Sequence, residues 1–82
     1  MSMTIRLDPA DNVVTSTRTL EAGTAVEDVV TTGIIPRNHK LASREIKAGE
    51  AVRKYAQVIG YATEVIVAGG HVHTHNVDFR NT

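Results

Sequence analysis

Cysteine is absent from the 82 residues, which removes disulfides, thiolate metal sites and cysteine nucleophiles together. Any metal must therefore be held by histidine, carboxylate or amide side chains. Tryptophan is missing too, and Phe79, Tyr55 and Tyr61 are the only phenyl or phenol rings, so stacking platforms for bases or sugars are scarce. Neither charge sign is in excess: nine Lys and Arg stand against nine Asp and Glu, with no block of either. That balance lacks the basic footprint of a nucleic-acid binder. Nowhere does the chain approach the roughly 20 apolar residues of a membrane span. The start, Met1-Ser2-Met3-Thr4-Ile5-Arg6, has no apolar run of signal-peptide length. These absences predict a cytoplasmic protein that engages neither nucleic acid nor membrane, folded as one domain over residues 1–82 around one small core. A domain of this size buries only about 60 to 65% of its unfolded surface, so support from a partner chain or a homo-oligomer is expected.

What is present is strongly β-forming. Val13-Val14-Thr15-Ser16-Thr17-Arg18-Thr19-Leu20 and Val26-Glu27-Asp28-Val29-Val30-Thr31-Thr32 are rich in β-branched residues, as half-buried pleated surface requires. Asp8-Pro9-Ala10-Asp11-Asn12 reads as a turn after a first strand over Thr4 to Leu7, so the chain opens with a hairpin. A short phrase recurs three times, as Leu20-Glu21-Ala22-Gly23-Thr24-Ala25-Val26, Ile46-Lys47-Ala48-Gly49-Glu50-Ala51-Val52 and Ile66-Val67-Ala68-Gly69-Gly70-His71-Val72. Each is a strand end, a corner at Ala-Gly where glycine can take a positive φ, and a re-entry through Val. The copies are 26 and then 20 residues apart. A solenoid needs a fixed period, so the repetition points instead to a compact all-β unit that reuses one kind of corner. Val52, Tyr55, Ala56 and Ile59 also fall at helical spacing, but Gly49 and Gly60 bracket too few residues, and extended structure is predicted there. One short helical turn is expected near Ser43 to Lys47.

The segment Gly70-His71-Val72-His73-Thr74-His75-Asn76 places three of the four histidines at every second position. If it is extended, His71, His73 and His75 project from one face, because side chains alternate across a strand. Such a face can bind a divalent metal, a carboxylate or a polyol. Strand twist rotates the outer pair apart, so one or two ligands are expected from this segment and others from elsewhere, either His39 or a second polypeptide. The alternative is an edge strand whose histidines are merely solvated. Lys40, Arg44, Arg53 and Lys54 could each clamp the carboxylate of a small acid, although exposed cations commonly serve only solvation. Ser16 and Ser43 sit in no nucleophile elbow, and there is no phosphate loop, so a complete active site within this chain is not expected.

The ordered set His39-Lys40-Leu41-Ala42, Ile46 to Tyr55, Ile59-Gly60-Tyr61-Ala62-Thr63 and Gly70 to Asn76 resembles the SAF domain of the altronate and galactarate dehydratase family. The opening, Ile5-Arg6-Leu7-Asp8-Pro9-Ala10-Asp11-Asn12-Val13-Val14, is similar to the start of that domain, so the resemblance covers nearly the whole chain. It implies a β-clip fold, and a domain fused to, or encoded as a small subunit beside, a large dehydratase chain that removes water from a sugar acid. It also implies a divalent metal, iron, manganese or magnesium, shared with that large subunit. The similar small subunit of sulfolactate sulfo-lyase serves a reaction that expels sulfite. Eliminations of this class need a base, a Lewis acid and cationic groups on the carboxylate. The resemblance places His71, His73 and His75 at metal, Lys54 and His39 at substrate, and the base on the partner chain. Asn38 and Ala56 stand where the family pattern has glycine, which puts the turns beside His39 and Lys54 in question. The competing reading is a non-catalytic β-clip module that binds a small ligand or a protein partner.

Overall fold

The computed structural model describes residues 3–6 and 8–79. Among these residues nine short strands follow one another: β1 (Thr4–Ile5), β2 (Val13–Ser16), β3 (Ala25–Val26), β4 (Val29–Val30), β5 (Lys40–Ala42), β6 (Ala51–Lys54), β7 (Gln57–Ala62), β8 (His71–Val72) and β9 (Val77–Phe79). The chain is all-β among the described residues, and no helix is long and apolar enough to cross a membrane. All pairings are antiparallel, in sheets ordered β1-β2-β5-β8, β3-β4 and β6-β7-β9. The opening hairpin forms as expected, with Thr4 opposite Ser16, while Leu7 lies outside the described residues.

The β2–β5 pair explains why so small a chain can organise itself. Val13 and Val14 are both 1% exposed although they point to opposite faces, so this ladder is buried on both sides. Val13 opposite Ala42 packs with Ile46, Val52, Ala62, Ile66, Val72 and Val77. On the other face, Val14 opposite Leu41 packs with Leu20, Val26 and Ile35. The single core expected from length is therefore two clusters that share one wall. Each buried Val, Leu or Ile stabilises the fold by about 1.5 to 3 kcal/mol, and register is the variable that sets them, since a slip by one residue would exchange the two faces.

The three Ala-Gly corners are structurally alike. Gly23, Gly49 and Gly69 all have φ of 84°, in the left-handed region that other residues reach only with strain. Gly69 is under a second constraint: a Cβ there would lie 2.0 Å from the Val30 carbonyl oxygen, where the third corner crosses the β3–β4 hairpin. The apolar residue that opens each phrase sits in a lone bridge. Leu20 and Ile35 exchange N–H···O bonds of 2.8 and 2.9 Å, and Ile46 and Ile66 exchange two of 2.8 Å.

That last pair corrects one expectation. No helical turn forms at Ser43 to Lys47, because Ile46 must be extended to meet Ile66 and its fully buried side chain anchors the larger cluster. Burial overrides a weak local preference. The Val26 to Thr32 run is likewise broken into β3 and β4 by Glu27 and Asp28, with φ of 50° and 63°. The preference for extended structure over a helix at 51–59 holds, with β6 and β7 joined at Tyr55 and Ala56.

Candidate functional site

His39 is delivered by a turn built on Ser16. The Ser16 N–H donates to the His39 carbonyl at 2.9 Å, and the Asn38 N–H donates to the Ser16 carbonyl at 3.0 Å. The Ser16 hydroxyl lies 2.7 Å from the Pro36 carbonyl oxygen and 3.1 Å from that of His39, so its single proton is shared between them. Asn38 has φ of 69°, a conformation asparagine tolerates better than most residues. The position where the family pattern has glycine thus keeps a left-handed turn.

His71 enters on β8, where Leu41 is its partner across the ladder. The strand expected to continue to His75 stops at Val72, and residues 73–76 form a bend and turn. Asn76 is the cause. Its Oδ1 accepts the His73 N–H at 3.0 Å, its Nδ2 donates to the His71 carbonyl at 2.8 Å, and both Asn76 N–H and Val77 N–H donate to the His73 carbonyl at 3.1 Å. Extended pairing is replaced by a compact loop whose backbone groups are satisfied internally.

The loop gathers rings more tightly than a flat strand would. His39 Nδ1 lies 2.9 Å from His71 Nε2, a hydrogen bond that one ring donates and the other accepts. Ring centroids are 4.5 Å apart for His39 and His73, 5.6 Å for His71 and His73, and 5.3 Å for His71 and His75. One nitrogen from each of His39, His71 and His73 falls within 4.8 Å of the others. His75 is exposed and stands beside His71, outside that set. Partial burial holds the His71 pKa below the ordinary histidine value, and the neighbouring His39, His75, His73 and Lys40 lower it further. His73 is lowered by the same kind of desolvation, then by His39, Lys40 and His75. Both rings are thereby favoured in the neutral form that offers a lone pair.

This donor set fits a metal ion. Nitrogens bound to one ion at about 2.0 to 2.1 Å lie roughly 3 Å apart, so the close His39–His71 pair can be bridged by a cation as well as by a proton. Three imidazoles and no carboxylate form a set suited to late first-row divalent ions more than to oxygen-seeking ones.

Lys54 lies elsewhere, at the end of β6, its Nζ 4.7 Å from the Tyr55 ring centroid. Asp11 builds that hairpin tip. Its buried carboxylate accepts the Tyr55 N–H at 2.9 Å and the Ala56 N–H at 2.8 Å, across two residues with φ of 56° and 62°. Lys40 opens β5 on the face of the ladder opposite His71, since it pairs with Val72 while Leu41 pairs with His71. Its Nζ is 5.3 Å from the Phe79 ring centroid, and its pKa is lowered first by burial and then by Lys54. The His39-Lys40 pair in the sequence hinted at it, whereas nothing local marked Asp11. Of the other cations considered, Arg44 is committed to Glu50 at 2.6 Å, and Arg53 points to solvent.

Comparison with known proteins adds an independent line. The altronate/galactarate dehydratase SAF domain model matches residues 2–80. Altronate dehydratase of Escherichia coli K12 is 40% identical over 76 residues, 88% of this chain and 15% of that protein. Altronate dehydratase of Bacillus subtilis 168 is 31% identical over 80 residues, 93% of this chain and 16% of that protein. The (2R)-sulfolactate sulfo-lyase subunit alpha of Paracoccus pantotrophus is 50% identical over 42 residues, 51% of this chain and 63% of that subunit. The match thus spans about one sixth of the two dehydratases and most of the lyase subunit.

Proposed function

The chain belongs to the altronate/galactarate dehydratase SAF domain family, and on that premise we propose that it is the small component of a metal-dependent hydro-lyase acting on a sugar acid such as altronate or galactarate. The observation that carries this reading is the convergence of His39, His71 and His73 from two separate segments on one point. In this reading those three rings hold a divalent ion at a junction with a large dehydratase subunit, and His75 faces that partner from the rim. Among iron, manganese and magnesium, the all-imidazole set favours iron. When bound, the ion supplies Lewis acidity that stabilises the negative charge growing on the substrate carboxylate as its α proton leaves.

The chain's own residues do the positioning. Ser16 and Asn76 fix the backbone that carries the rings, so little ordering remains for the binding step. Lys54 offers a cation to the acid group of the substrate. The three clustered rings are taken up as metal ligands in this reading, and the proton-abstracting base is assigned to the large subunit. The relationship to a sulfo-lyase subunit supports the same division of labour with a different leaving group.

The test is reconstitution. Purified chain mixed with a dehydratase-like large chain from the same genome, with ferrous iron, should dehydrate altronate or galactarate when neither component does so alone. The His73→Ala variant should still assemble but lose metal and activity. Assembly without catalysis by the wild type across a panel of sugar acids would instead favour a non-catalytic binding module.

A further inference from the structure

Two stretches of the chain, Val29-Val30-Thr31-Thr32-Gly33-Ile34-Ile35 and Val65-Ile66-Val67-Ala68-Gly69-Gly70, carry no charged residue. The fold makes them cross. The Thr32 N–H donates to the Gly69 carbonyl at 3.2 Å, and a Cβ on Gly69 would stand 2.0 Å from the Val30 carbonyl oxygen and 3.3 Å from the Thr31 Cα. Alternation sorts the side chains around this contact: Thr31, Ile35 and Ile66 are buried, while Val30, Ile34, Val65 and Val67 are each more than half exposed. Those four all lie within four residues of the bond between Thr32 and Gly69. The other large apolar residues exposed among the described ones, Ile5, Tyr55, Val58 and Tyr61, lie in other parts of the sequence. Single exposed aliphatic residues are ordinary, but a charge-free set gathered at one crossing is what a protein standing alone blunts with lysine or glutamate.

We infer that this crossing is the docking face for the large dehydratase chain, with Val30, Ile34, Val65 and Val67 as the apolar centre of the contact. The inference deepens the reading proposed above and rests on it for the identity of the partner. The comparisons supply a body to cover the face: the match is about one sixth of each of the two dehydratases, and the sulfo-lyase relative is by name one subunit of an assembly. Position supplies the second argument. Gly70 ends the second stretch, its carbonyl accepts the Ala42 N–H at 2.9 Å, and His71 follows it directly to open β8. Gly69 and His71 are thus separated by at most about 7 Å of chain. A large chain seated on the crossing stands beside the histidine set that it shares. The chemistry of the face suits a lasting partner, because interface centres are depleted of charge. Its β-branched side chains are stiff, and the turn beneath them is closed by the Gly70 N–H donating to the Val67 carbonyl at 2.9 Å, so little freedom is lost when the face is covered. A standard interface takes about 800 Å² from each partner, so these four residues form its centre and exposed polar neighbours such as Thr32 its rim.

The test uses the full chain and the dehydratase-like large chain from the same genome. Ile34→Lys and Val67→Lys place a charge at positions already open to water, and each should weaken binding of the large chain by at least about thirtyfold, as expected for the loss of a central anchor. Val58→Lys, on β7, should bind within about twofold of the wild type. Methyl NMR of the wild type gives a measurement that needs no variant: the Val30, Ile34, Val65 and Val67 signals should shift on addition of the large chain while that of Val58 stays. Lysine variants that bind like the wild type, methyl signals that do not move in a complex that forms, or no complex at all overturn the docking face. Self-association of the chain that Val67→Lys abolishes, with the large chain bound equally by both forms, assigns the face to a second copy and overturns it too. The outcomes separate from those of the hydro-lyase reading. Activity reconstituted equally well by the lysine variants removes the face and leaves that reading, whereas a complex that the lysines disrupt but that dehydrates no sugar acid keeps the face and removes the reading. Val67→Lys should also take up iron as the wild type does, which His73→Ala should not.

Discussion

Two loops carry the proposed chemistry, and each is held by one buried polar side chain, but they are held in different ways. The histidine turn at residues 73–76 is tied by Asn76, which reaches three and five residues back along its own segment. The hairpin tip at Tyr55 and Ala56 is tied by Asp11, which reaches 44 and 45 residues forward. Asparagine presents a donor and an acceptor, and so closes a loop needing one of each. Aspartate presents only acceptors, which suits a tip that turns two N–H groups toward it. The tip also asks more of its brace, since both of its central residues lie in the left-handed region without being glycine. A local brace and a distant one can thus do similar mechanical work, with a charged group used where the backbone is more strained.

Removing the distant brace should have the larger effect on stability. Asp11→Ala leaves two N–H groups without their charged acceptor above a strained turn, and should lower stability by about 3 kcal/mol in thermal or denaturant unfolding. Its effect on metal affinity should be small, because the histidine turn is built independently. A matching loss of metal would show the two loops to be coupled.

Asn76→Ala should cost about 2 kcal/mol and, unlike Asp11→Ala, should weaken metal binding by at least about tenfold, measured by calorimetric titration, because the His71 carbonyl and His73 N–H lose their shared partner. Unchanged metal affinity in this variant would remove Asn76 from the site's support. Ala56→Gly sharpens the comparison from the opposite direction. It should stabilise the protein by about 0.5 to 1 kcal/mol by relieving left-handed strain, while the same change at Asn38 should give less, since asparagine already tolerates that conformation.

Acidification should make the smallest change in stability, and it should fall on the histidine side. His71 and His73 have folded pKa values lowered from 6.5, so the unfolded chain takes up protons first as pH falls. Their contribution is therefore fully present above about pH 6.5 and declines as pH drops through the lowered folded values. Metal affinity should fall over the same window, because protons compete for the same lone pairs. Stability that rose on acidification through that range would contradict the assigned direction.

The Ala-Gly corners, the opening hairpin and the crowding of histidines were legible because each depends on neighbouring residues: glycine permits a positive φ, proline and aspartate favour turns, and alternation sets the face a side chain takes. Asn76 carried a local signal as well, standing directly after the last histidine. Asp11 carried none, since its partners are fixed only when the β1–β2 turn packs against the β6–β7 tip.

By itself, then, the sequence determined an all-β chain with three equivalent corners, a family membership and a cluster of imidazoles near one end. Tertiary structure decided that the histidine segment turns after Val72, that His39 joins it, and that Asp11 reaches across to lock the β6–β7 tip. The physical reason is register. His39 and His71 are 32 residues apart and meet only because Leu41 is paired with His71, a pairing enforced by burying Val14 and Leu41 on one face of the central ladder and Val13 and Ala42 on the other.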